Sequence, residues 1–217
     1  MQKEKLKIGF DCDDLIIPYS ESVLDHFNDK YKSDMKMKDL YSYSIAECIS
    51  RHLKISSEKV YDSIVQFDRS LLKDIRPYDE AIAGIEKLFR EEHELYLIDK
   101  RRKELQGITE NMVNNYFKNK FMGTYPSNGT FSIGPILSKP EAAKAFELDV
   151  SVEVCSETSR DIARTGIDVI EFEKPWSMDQ GAGQDLGGKI YSVKSWDGIL
   201  GKIDELSNES FQELTHQ

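Results

Sequence analysis

The sequence predicts an α/β protein, a Rossmann-like parallel sheet with a small helical cap inserted after the first strand. Three observations carry this expectation. From Pro77 onward, short apolar runs alternate with helical stretches, the pattern of strand–helix–strand units in a parallel sheet. Three apolar runs end in carboxylates, at Asp11 with Asp13, at Asp99 and at Glu153, and parallel neighbours would bring these to one sheet edge. Between the first strand and Arg76 the apolar residues keep a helical spacing and no second strand appears.

The first strand is Leu6-Lys7-Ile8-Gly9-Phe10, followed by Asp11-Cys12-Asp13-Asp14. Burying such carboxylates unpaired would cost several kcal/mol. A hard cation such as Mg²⁺, which takes oxygen ligands, would use them; an acidic turn is the plainer alternative. Asp11 stands at the C-terminal end of its strand, where open α/β sheets bind ligands. Asp11 and Asp13, two apart, reach one site if the chain bends there, one to attack and the other to move a proton.

Helices are expected over 21–31 (Val23, Leu24, Phe27 and Tyr31 on one face), around 37–52, and from the N-cap Ser56 onward, with Val60, Ile64, Phe67 and Leu71 at helical spacing. Residues 17–76 therefore read as a helical cap, 1–16 and 77–206 as the sheet-bearing core, and 207–217 as a frayed C-terminal tail. Tyr41, Tyr43 and Phe67 are candidates to stack on a base, though aromatic residues in such helices are more often core.

Pro77-Tyr78-Asp79 starts a helix with Ile82, Ile85, Leu88 and Phe89 inward. The strand at 94–98 ends in Asp99-Lys100-Arg101-Arg102-Lys103, and a helix carrying Val113, Tyr116 and Phe117 follows. The Gly-, Ser-, Asn- and Pro-rich stretch 121–134 reads as loop with a short strand at 130–133. Ser138-Lys139-Pro140-Glu141 fits a capping box, which puts Lys139 in a first helical turn. A cation there opposes the helix dipole, a hint that Lys139 is placed for another purpose. Further strands are expected at 149–154, 169–172 and 190–193, with a helix at 157–165 closed by Gly166, a loop at 181–188, and a last helix turning Ile199 and Ile203 inward.

The chain has 217 residues and a formal net charge of −10. That length suits one domain with an inserted subdomain. The acidic balance argues against a nucleic-acid polymer or an anionic membrane as partner, and a small anionic substrate needs a cation or a basic cluster beside it. Cys12, Cys48 and Cys155 have no zinc or disulfide spacing and read as small buried apolar residues. No apolar run is long enough for a signal peptide or a span, so a cytoplasmic location is expected, and the glycosylation patterns at Asn128 and Asn208 read as chance.

Taken together, Ile8-Gly9-Phe10-Asp11-Cys12-Asp13-Asp14, Pro77-Tyr78, the run from Leu95 to Arg101, Lys139, and the stretches 169–176 and 191–196 resemble in order the motifs of the haloacid dehalogenase (HAD) superfamily of phosphohydrolases, most closely its deoxyribonucleotidase branch. The resemblance implies Mg²⁺ as cofactor, Asp11 as a nucleophile that becomes an aspartyl-phosphate, and Asp13 as general acid and base. It implies a metal held by Asp11, by Asp13 through its backbone carbonyl, and by Glu153, with Lys139 steadying the phosphoryl group and Asp99, Lys100 and Arg101 at substrate-binding positions. Positioning and charge neutralisation are what phosphoryl transfer needs.

Two positions depart from the family pattern. Asp99 stands where Ser or Thr would donate to a phosphate, and a carboxylate there would repel a phosphate by about 3 kcal/mol at about 5 Å and an effective dielectric near 20, unless Lys100 and Arg101 offset it or Asp99 is protonated. Glu153-Val154 replaces two adjacent aspartates. The expected function is a Mg²⁺-dependent phosphatase acting on a small phosphomonoester, a nucleotide among the candidates. The alternative is a degenerate protein of the same fold that binds a ligand or partner without turnover.

Overall fold

In the computed structural model, residues 4–126, 137–177 and 186–215 are described. The elements in chain order are β1 (Lys7–Phe10), α1 (Tyr19–Tyr31), α2 (Ile45–Leu53), α3 (Ser57–Ser70), α4 (Asp79–Arg90), β2 (Glu94–Asp99), α5 (Gln106–Tyr116), β3 (Phe121–Pro126), α6 (Lys139–Ala145), β4 (Val150–Glu153), α7 (Ser156–Ala163), β5 (Asp168–Phe172), β6 (Ile190–Val193) and α8 (Trp196–Thr215). The strands form one sheet in the order β3-β2-β1-β4-β5-β6. Every neighbouring pair is parallel. Parallel pairing forces crossover helices, which cover both faces and leave the inner strands apolar.

On one face Ile8, Phe10, Leu95, Leu97, Val150, Val152 and Ile170 meet α4, α5 and α8. On the other, Ile98 and Val169 meet Ala142 and Ala143 of α6 and Ile162 and Ala163 of α7. The chain leaves β1 toward β2 on one side and reaches β4 on the other, so the strand order reverses between β1 and β4. The crevice beyond the carboxyl ends of such a pair is where open α/β sheets bind ligands. Asp11 and Glu153 sit at those two strand ends.

The helical region between β1 and α4 has an apolar centre of its own, with Val23, Phe27, Leu40, Ile49, Val60 and Phe67 packed together and Trp176 joining from beyond β5. Ser44 and Ser56 accept hydrogen bonds from Glu47 and Lys59 N–H and cap α2 and α3, a contribution of about 1 kcal/mol each. No helix among the described residues is long and apolar enough to cross a membrane.

Several expectations are corrected. Of the helix expected around 37–52, the second half is present as α2, whereas Met37–Asp39 is a 3₁₀ turn and 40–44 is irregular with bends at Ser42 and Tyr43. Phe67 is core rather than a ligand platform. Phe89 and Tyr31 lie at the edge rather than inside, at 43% and 37% exposure, Phe89 under the Lys120 ammonium and Tyr31 stacked on Phe27. Residues 121–126, expected as loop, form the edge strand β3, where an exposed Met122 and a terminal Pro126 are tolerated because one side carries no partner. The expected strand at 130–133, Asn128 and most of the 181–188 loop lie outside the described residues. The tail expected to fray from Ser207 continues α8 to Thr215.

Candidate active site

The backbone places Asp11 before any side chain does. Its N–H donates to Val152 O at 3.0 Å, continuing the β1–β4 ladder by one bond, and the chain then turns, with Ile16 and Ile17 N–H both donating to Cys12 O. The Asp11 side chain folds back so that Oδ1 accepts from Cys12 N–H at 2.8 Å. Asp14, in a left-handed conformation at φ 60°, turns away and accepts from the backbone and hydroxyl of Ser20 in the first turn of α1. One of the turn's three carboxylates is thereby explained by structure alone.

Lys139 reaches the same spot from the opposite helix. Ser138 Oγ accepts from Glu141 N–H at 3.4 Å and Glu141 Oε2 accepts from Ser138 N–H at 2.7 Å, which fixes the first turn of α6. From that turn the Lys139 ammonium, 1% exposed, lies 2.8 Å from Asp11 Oδ1 and 2.8 Å from Glu153 Oε2. The other Glu153 oxygen accepts from Ser151 Oγ at 3.0 Å. Burial alone would strip the proton from Lys139, but the two carboxylates win and hold its pKa above the ordinary lysine value. Burial pushes Glu153 up to about 7 against the pull of Lys139. The opposition to the helix dipole noted in the sequence is thus outweighed by two charge-assisted hydrogen bonds.

A second charge group forms at the end of β2. Arg101, 7% exposed, pairs with Asp13 Oδ1 and donates to Thr109 Oγ1 at 2.7 Å. Asp99 does not project into open space. Its Oδ1 accepts from Arg101 N–H at 3.2 Å and its Oδ2 accepts from Thr109 Oγ1 at 3.2 Å, with the Arg101 guanidinium 3.9 Å away. The repulsion expected of Asp99 is therefore met inside the protein by Arg101. Lys100 is drawn the other way and donates to Thr158 Oγ1 of α7 at 2.7 Å. Burial raises Asp13 to about 7, with Arg101 opposing and Asp11 assisting. Burial likewise raises Asp99, against Arg101.

Asp11 and Glu153 thus converge on Lys139, while Asp13 and Asp99 converge on Arg101. A divalent ion shared by Asp11, the Asp13 backbone carbonyl and Glu153 would compete with protein donors for its carboxylate ligands. Both Glu153 oxygens accept from protein donors, and Asp11 Oδ1 accepts from Lys139 and from Cys12 N–H. Among the described residues no group of three His, Cys, Asp or Glu side chains is arranged to hold a metal ion. Val154 contributes only its carbonyl, which accepts from Trp176 Nε1 at 3.1 Å.

One residue escaped the sequence reading. Glu171 of β5 is in register with Glu153 of β4, so the two share a face. It is 2% exposed, its Oε1 accepts from Ser156 Oγ at 2.7 Å, and its Oε2 has no hydrogen-bond partner. A carboxylate inside the apolar run Val169-Ile170-Glu171-Phe172 was the available signal.

Two clefts open at this edge. One, of about 280 Å³, is lined by Asp13, Lys100, Arg101 and Tyr43 among others. The second, of about 500 Å³, is lined by Tyr41, Tyr43 and Trp176 and by the start of α7.

No family model matches the chain, and no curated protein matches it in sequence. Solved structures do match in fold. A candidate phosphoglycolate phosphatase of Lactobacillus delbrueckii subsp. bulgaricus is 15% identical with a TM-score of 0.62, over 92% of this chain and 98% of that one. A haloacid dehalogenase-like hydrolase of Streptococcus pneumoniae is 14% identical with a TM-score of 0.59 over the same shares. The L-2-haloacid dehalogenase of Xanthobacter autotrophicus, solved with chloropropionic acid covalently bound, is 9% identical with a TM-score of 0.56, again over 92% and 98%. The chain has the α/β fold of HAD hydrolases.

Proposed function

We propose that the chain is a hydrolase of small phosphomonoesters that works through Asp11. The observation that carries this reading is the buried Lys139 ammonium shared between Asp11 and Glu153 at the point where the strand order reverses. Lys139 and Cys12 N–H hold Asp11 Oδ1, and the second oxygen, Oδ2, is the attacking atom. Attack on phosphorus forms an Oδ2–P bond as the P–O bond to the leaving group breaks. Asp13, whose carboxyl titrates at about 7, gives its proton to the departing oxygen and then takes one from the water that hydrolyses the aspartyl-phosphate. General acid–base help of this kind is worth about 10²–10⁴ in rate. Lys139 and Arg101 supply positive charge for the phosphoryl oxygens. Mg²⁺ would compete with Lys139 for the carboxylates of Asp11 and Glu153. The helical region 17–76 serves as the cap over this edge.

The fold neighbours include a candidate phosphatase and a dehalogenase, which supports a hydrolase and leaves the substrate to experiment. A second reading, ligand binding without turnover, is favoured by one observation: Arg101 closes over Asp13, the group that must exchange protons. The test is a phosphate-release screen of small monoesters, run with and without added Mg²⁺, on the wild type and Asp11→Asn. Release by the wild type that Asp11→Asn abolishes is the expected result. Release that survives Asp11→Asn rejects the nucleophile. Orthophosphate binding without any release supports the second reading.

A further inference from the structure

The larger cleft differs from the charged one beside it. Its walls are aromatic: Tyr41 and Tyr43 come from the segment before α2, and Trp176 comes from beyond β5. Tyr43 and Trp176 meet edge-on at 6.3 Å between ring centres. Elsewhere in the helical region Phe27 and Phe67 are buried, yet Tyr41 and Tyr43 are 45% and 46% exposed. Arg51 lies over one face of the Tyr41 ring, 5.3 Å from its centre, and the aromatic surface that stays open in this concave site is binding surface rather than core.

The position ties this cleft to the reactive edge. Cys155 and Ser156 line it, directly after Glu153 and Val154. Tyr43 lines both clefts and so stands between the aromatic one and the one that holds Asp13 and Arg101.

The polar rim decides the charge of the occupant. Arg164 lines the cleft but is held by Asp161 at 2.6 Å. Arg160 and Glu157 line it too, one donor and one acceptor. The bases and acids of the rim are equal in number, so a second anionic group gains nothing there, whereas a neutral ring with donors and acceptors at its edge is matched on both counts.

We infer that this cleft receives the leaving group of the substrate and that this group is an uncharged aromatic or heteroaromatic ring, stacked on Tyr41 and Tyr43 and read at its edge by Arg160 and Glu157. The inference rests on the phosphomonoester reading only for where the phosphate sits.

Binding without turnover separates the two. Full-length Asp11→Asn protein is titrated by calorimetry with 1-naphthyl phosphate and with glycerol 3-phosphate, and the ratio of the two affinities is read. The naphthyl ester is expected to bind about tenfold or more tightly. Tyr43→Ala should lower the ratio by about tenfold, one aromatic contact's worth, while Tyr43→Phe keeps it. Tyr116→Ala, an exposed tyrosine on α5 outside the cleft, is the control and leaves the ratio unchanged. Equal affinities in the parent, or a ratio that Tyr43→Ala does not move, would overturn the inference even if the wild type hydrolyses both esters. A naphthyl preference that depends on Tyr43 sustains it even if neither ester is hydrolysed.

Discussion

Lys139 is a single ammonium doing the neutralising work for two buried carboxylates. Removing one partner of such a group leaves uncompensated charge, typically at a cost of 3–5 kcal/mol. Lys139→Ala is therefore expected to lose about that much stability at pH 8, measured by urea denaturation. Mn²⁺ should restore part of it, since Asp11 Oδ1 and Glu153 Oε2 then face each other across a vacated cation position. Wild-type stability should respond much less to the same Mn²⁺; an equal response in both would mean that the ion binds elsewhere. Asp13 gives a pH prediction for activity. With its carboxyl at about 7, the protonated form that serves the leaving group disappears above that pH. For a phosphomonoester with a poor leaving group, kcat/KM should fall as pH rises past about 7, and Asp13→Asn should lower the rate by about 10²–10⁴ and lose that alkaline limb. A limb unchanged in Asp13→Asn would assign it to another group.

The elements show why some of this could be read from the sequence and some could not. Asp11 and Lys139 were legible because each breaks a local rule: a carboxylate cluster follows an apolar strand, and a lysine occupies the first turn of a well-capped helix. Glu171 was not singled out, because its importance lies in register with Glu153 across two strands distant from β1 in sequence. The pairing of Arg101 with Asp13 spans β2 and the β1 turn, and nothing local specifies it. β3 was missed because Gly123 and Pro126 lower strand propensity, a penalty that an edge position relieves. Gly84 on α4 shows the same dependence on tertiary approach. A Cβ there would lie 2.5 Å from Cε3 of Trp196, whose ring stacks on Phe10 at 6.1 Å and whose Nε1 donates to Leu15 O at 3.2 Å. The indole is fixed on two sides and cannot retreat. Gly84→Ala should thus destabilise by about 1–3 kcal/mol, despite alanine's better helix propensity, and an increase in the urea midpoint would show that α4 can shift away from α8.

At the scale of the whole molecule, the charge arrangement fixes the sign of the pH response. Asp13 and Glu153 both titrate at about 7 in the folded protein, whereas unfolded carboxylates titrate near about 4. Between these values the folded state holds protons that the unfolded state has released, so stability falls as pH rises through that window. Each such group contributes a slope of up to about 1.4 kcal/mol per pH unit. The net charge of −10 adds a self-repulsion of the same sign, but one carried by exposed groups and screened by salt. The expected result is a urea midpoint that rises from pH 8 to pH 6 and keeps most of that rise in high salt. Asp13→Asn should remove part of the salt-resistant rise, because the amide needs no proton to be buried. A rise abolished by salt would trace the effect to the surface, and a fall toward pH 6 would mean that Lys139 and Arg101 hold both carboxylates ionised, with no proton at Asp13 to give to a leaving group.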